Sequence, residues 1–142
     1  MSEQNFKNHS RYIPLWHYIV PFVMLVLLIF SIINIIHADA RNHYSSVLLM
    51  LISVLFIVFY WYTRAFALRA QDRAIRAEEN FRHFILTGKP LDNRLRMGQI
   101  IALRFASDDE MPALANRAAQ EKMLPKEIKE AIKTWRPDFN RV

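Results

Sequence analysis

Cysteine is absent from the 142 residues, which excludes disulfides, thiolate metal sites, iron–sulfur clusters and a cysteine nucleophile. Glycine occurs only twice, at Gly88 and Gly98, so the backbone freedom that phosphate-cradling loops and tight hairpins need is nearly missing and the chain should be almost entirely helical. Charge is missing as well, over two long stretches. No Asp, Glu, Lys or Arg stands between Leu15 and Ile36 or between Tyr44 and Tyr62. Runs of 22 and 19 residues each match the ~20 that a helix needs to cross a bilayer. A simple water-soluble globule is thereby excluded.

The first run opens after Pro14 with Trp16, His17 and Tyr18, amphipathic rings of the kind that anchor a span at headgroup depth. Pro21 removes a donor about two turns in, which predicts a mild kink near the surface. The seven residues His37 to His43 suffice only for a turn, so the second run must come straight back and leave both chain ends on one side. Of the 19 Lys and Arg residues, two precede the first run, one lies in the loop and 16 follow the second. The positive-inside rule then places both termini in the cytoplasm. Ala38-Asp39-Ala40 has the form of a signal-peptidase site, but 22 apolar residues exceed the roughly 7 to 15 of a signal core, so the segment reads as a span.

After Tyr62 no Gly or Pro intervenes before Gly88 and Pro90, and the second helix should simply continue. Tyr44 to Leu86 is 43 residues, about 65 Å at 1.5 Å per residue, of which roughly half projects past a ~30 Å hydrocarbon layer. Along the projecting part, Thr63, Ala67, Ala70, Ala74, Ala77, Phe81 and Phe84 recur at alternating steps of four and three. That narrow, mostly small seam allows another helix to approach closely. Asp72 with Arg76 and Glu78 with Arg82 stand in the favourable acidic-first order on other faces, as a solvated helix surface would have them. Arg64 and Arg69, the first two basic residues after the span, are placed to meet lipid phosphates.

Beyond Gly88 and Pro90 a small helical domain is expected. One helix is expected over Leu95 to Ala106. A second runs from Met111 to Glu121, behind a Ser107/Glu110 capping-box pattern. A third starts at Pro125 and repeats Ile128, Ala131, Ile132 and Trp135 on one face. The architecture is thus an all-α membrane protein: a cytoplasmic segment 1–13, a two-helix transmembrane hairpin 14–63 with spans at about 15–36 and 44–62, a cytoplasmic helical stalk 64–86 and a small C-terminal cytoplasmic helical domain 87–142.

Chemistry is hard to find. No G-x-S-x-G, G-x-x-x-x-G-K-[ST], G-x-G-x-x-G or H-E-x-x-H occurs, and neither span carries an ionisable Asp, Glu, Lys or Arg for proton or ion transport. His37, Asp39 and His43 share one short loop but lack a scaffold to fix them as zinc ligands. The expectation is a non-enzyme with no catalytic residue, cofactor or metal. The net charge of +6 sits mostly after the second span, which suits an anionic leaflet better than nucleic acid. A basic pair of short helices around Met123-Leu124-Pro125, with Lys122, Lys126, Lys129 and Lys133, keeps nucleic acid as an alternative partner.

The runs Gln4 to Tyr12, Arg64 to Phe84, Gln99 to Asp108 and Lys126 to Trp135 together resemble an uncharacterised two-span membrane family of the Bacteroidota. That resemblance implies a bacterial inner-membrane protein with a cytoplasmic tail and carries no activity, cofactor or site residue with it. The residues themselves point to a structural or accessory subunit. Its contact face would be Ala67, Ala70, Ala74, Ala77, Phe81 and Phe84, and its partners the lipid bilayer and either another membrane-complex subunit or a second copy. An interfacial module for anionic lipid is a further alternative.

Overall fold

The computed structural model describes residues 12–138. The N-terminal segment up to Arg11 and residues 139–142 lie outside them. The described chain forms two compact units, one of Tyr12–Ala67 and one that begins at Leu68. Its helices are α1 (Val20–Ile36), preceded by a π-helical stretch Leu15–Ile19, α2 (His43–Thr87), α3 (Met97–Leu103), α4 (Met111–Gln120) and α5 (Pro125–Ala131). Among the described residues there is no strand, only an isolated bridge between Ala106 and Trp135.

In the first unit the backbone ahead of Pro21 widens into a π-helical turn. Pro21 has no N–H to give His17, and the Val20 N–H reaches back five residues to the Leu15 carbonyl. The irregularity expected at Pro21 takes the form of this π-helical turn just ahead of it. Two contacts pair α1 with α2. The Tyr60 hydroxyl donates to the Trp16 carbonyl at 2.8 Å while their rings stack at 4.6 Å, and the Ser31 hydroxyl lies 3.4 Å from the Met50 sulfur. Trp16 precedes Ser31 whereas Tyr60 follows Met50, so the two helices run antiparallel.

What this unit buries is small and polar: Ser31, Ser46 and Ser53. Each hydroxyl donates to a carbonyl three or four residues earlier, at Leu28, Asn42 and Leu49 respectively, so that none of the three is left unpaired. Large apolar side chains such as Phe22, Phe30, Leu48 and Phe59 face outward. Two segments, Leu15–Ile36 and His43–Thr87, are long and apolar enough to cross a membrane, and only 6% and 11% of their most apolar windows are buried. A core helix of a soluble protein would be mostly covered.

The second unit has an ordinary apolar core. Leu103, Met111, Ala118 and Ile128 are fully buried where α3, α4 and α5 meet. α2 enters this unit and stops as the Gly-Lys-Pro pattern requires. Gly88 takes φ +71° and its N–H bonds the Phe84 carbonyl at 2.8 Å. The side-chain amide of Gln99, buried, donates to the carbonyls of Ala118 and Met123 and so ties the end of α4 to α3.

Three local readings are corrected here. α3 is shorter than Leu95 to Ala106, because the Gln99 side chain accepts the Arg96 N–H and starts the helix only at Met97. Ser107 does not cap α4 through its side chain. Its carbonyl accepts from Met111 at 2.9 Å, while the Glu110 carboxylate turns away to accept the N–H groups of Lys133 and Thr134. The last helix does not reach Trp135: Ile132 is already extended. The Thr134 carbonyl then accepts the Ser107 N–H, the Arg136 N–H donates to Phe105, and the Trp135 ring stacks on Phe105 at 4.6 Å.

A Cβ added at Gly88 would meet nothing within 4 Å, so its cost is conformational alone. Gly88→Ala should destabilise the second unit by about 1 kcal/mol, and Gly88→Asn by less, as read from amide hydrogen exchange in α3 and α4.

Candidate protein-interaction surface

Within the second unit, the side of α2 that carries Ile75, Glu79 and Arg82 is covered by the chain that follows it. Ile75 is 7% exposed. Arg82 spends its guanidinium on three acceptors: Nε to the Asp108 carboxylate at 2.6 Å, one terminal nitrogen to Glu79 at 3.0 Å, and the other to the Ala106 carbonyl at 2.8 Å. Glu79, itself buried, has its second oxygen 4.0 Å from Arg136. The Asn80 side-chain oxygen accepts the Leu91 N–H at 2.9 Å, anchoring the chain as it turns back. A charge this enclosed is stable only when its partners are all present.

At 100° per residue, Ala70, Ala74, Ala77, Phe81 and Phe84 fall on the opposite side of the helix. All five are exposed, with Phe81 at 65% and Phe84 at 52%. Ile85, at 66%, widens this face. Ala67, the remaining seam residue, and Arg64 are half-buried members of the first unit, whereas Arg69 is exposed in the second. The surface is thus shallow at the alanines and bulky at the phenylalanines.

Arg82 pairs with Glu79 and Asp108 rather than with Glu78, and Asp72 and Arg76 form no ion pair among the described residues. Ile75 was the available signal: it is an isolated large apolar residue on a charged side, one turn before Glu79 and two before Arg82. Beside these residues a groove of about 420 Å³ is lined by Ile75, Glu78, Glu79, Arg104, Arg136 and Asp138 among others, and Ala74 stands at its edge. Within it Arg104 lies 3.0 Å from Asp138 and 4.6 Å above the Phe105 ring. This arrangement holds the tail together and sets up no nucleophile or acid–base pair.

His17, His37 and His83 are likewise engaged locally. His37 Nδ1 lies 2.8 Å from the Ile33 carbonyl and His83 Nδ1 lies 2.8 Å from the Lys89 carbonyl. Among the described residues no three His, Cys, Asp or Glu side chains converge as metal ligands would.

Removing the Arg82 side chain strands Glu79 in a buried position. Arg82→Ala should therefore weaken the second unit by about 3 kcal/mol, seen as faster amide exchange in α3 to α5. Arg69→Ala, on the exposed surface, should change it by less than about 0.5 kcal/mol.

No curated protein and no solved structure matches this chain. One family does, over residues 1–142, and the chain belongs to it: the family of unknown function DUF6526.

Proposed function

We propose that this protein is a non-enzymatic, two-span subunit of the bacterial inner membrane that binds a helix of another membrane-complex subunit, or of a second copy, along one face of α2. On this reading Leu15–Ile36 and the first half of α2 form a transmembrane hairpin. α2 then leaves the bilayer as a cytoplasmic stalk, and both termini lie in the cytoplasm. Support for the membrane part comes from the inverted burial of the first unit, small hydroxyl residues inside and large apolar ones outside. The orientation rests on the 16 basic residues that follow the second span. Arg64 and Arg69 are then at headgroup depth, where each basic side chain near an anionic surface is worth about 1 kcal/mol.

The observation that carries the interaction is the division of α2 into two sides. The tail occupies Ile75, Glu79 and Arg82 and leaves Ala70, Ala74, Ala77, Phe81 and Phe84 uncovered. Apolar surface of this kind facing water is unfavourable by about 25 cal/mol per Å² and is relieved by a partner.

Carboxylates placed in the middle of this face test the reading. Ala74→Glu combined with Ala77→Glu should abolish the cross-linked assemblies formed in native membranes while leaving amide protection of α3 to α5 unchanged. Assemblies that persist undiminished in the double variant would refute it.

A further inference from the structure

We propose that the groove between the start of α3 and the α4–α5 turn binds a phosphate-bearing ligand. This groove, about 450 Å³, is lined by Arg94, Arg96, Gly98, Lys122, Met123 and Leu124 among others, and no Asp or Glu contributes to its wall. The nearest carboxylates in sequence face other groups. Glu127 accepts the Leu124 N–H at 2.6 Å, and Glu121 is paired with Arg117. Asp92 grips Arg94 through both oxygens, which depresses its own carboxyl to about 2 and orients that guanidinium. Arg96 and Lys122 make no ion pair among the described residues. Two uncompensated cations therefore share one concave, acid-free wall, the usual chemistry of a phosphate site.

Lys122 adds an independent observation. It sits at φ +55°, the left-handed position that ends α4, where the Met123 N–H reaches back to the Ala118 carbonyl. Glycine takes this conformation freely and lysine does so under strain. Strain kept where glycine would remove it marks a side chain that is used. Gly98 closes the opposite wall: a Cβ there would lie 3.2 Å from Pro125 Cγ. Leu124, 63% exposed, gives the groove an apolar rim. The shared chemistry is a phosphate anion, and its source is either a lipid headgroup or a soluble phosphate.

The full chain in nanodiscs separates these sources. The rate of acetylation of the Lys122 amine, read by mass spectrometry, is compared with that of Lys126 and Lys133 in pure phosphatidylcholine discs, in the same discs with inorganic phosphate, and in discs containing phosphatidylglycerol. All arms are held at matched ionic strength with chloride. Lys122 should be protected about tenfold, with Lys126 and Lys133 unchanged. Protection by inorganic phosphate identifies a soluble ligand, and protection by phosphatidylglycerol alone identifies a headgroup. Arg96→Gln should abolish that protection. Lys122→Gly, which relieves the left-handed strain and keeps the fold, should lower the affinity for whichever phosphate protects Lys122, measured by calorimetry in the same discs. Equal labelling of the three lysines in every arm, or protection that survives Arg96→Gln, would overturn the proposal.

Discussion

A guanidinium taken out of water must find acceptors in several directions at once, and Arg82 finds them in Glu79, Asp108 and the Ala106 carbonyl. Much of the second unit follows from that requirement. One acceptor is on α2 itself and two are on the segment between α3 and α4, so the ion pairs hold that segment against the Ile75 side of the helix. Glu79 in turn engages Arg136 after the last helix has ended. The stacking of Trp135 on Phe105, and the two N–H groups that Glu110 accepts, bring the chain back to within reach of α2. Covering one side of α2 in this way is what leaves the alanine and phenylalanine side uncovered.

The two units obey opposite rules of burial, and α2 contributes residues to both. In the first, serines are inside and phenylalanines outside. In the second, Leu103, Met111 and Ile128 are inside, and the charges taken inside with them, such as Glu79 and Arg104, are paired. The same residue type therefore means different things along one helix. An outward Phe59 in a span with no charge is in its preferred surroundings if lipid is the solvent. An outward Phe81, flanked by Glu78 and Arg82, is unfavourably placed if water is the solvent.

Periodicity carried much of this architecture in readable form. The charge-free run from Leu15 to Ile36, the unbroken continuation past Tyr62 and the stop at Gly88 are local properties, each set by residues within a few positions of one another. The four-three seam from Ala67 to Phe84 is also local. What could not be read depends on residues far apart in the chain. Glu110 looks like a helix-starting carboxylate until Lys133 and Thr134, more than twenty residues on, take it. Trp135 continues the amphipathic pattern of Ile128, Ala131 and Ile132. It leaves the helix only because Phe105 offers a ring and a carbonyl to its neighbour Arg136. The partner of Arg82 was ambiguous for the same reason. Glu78 and Glu79 are both within reach along the helix, and Asp108 decides between them from another segment.

The most direct test of the account is a photocrosslinker scan of α2, one position at a time from Arg69 to Ile85, in native membranes at native expression. The account predicts that adducts to another chain peak at 70, 74, 77, 81 and 84 and vanish at 75, 79 and 82. Adducts that peak at 75, 79 and 82, or that show no helical period at all, would contradict it.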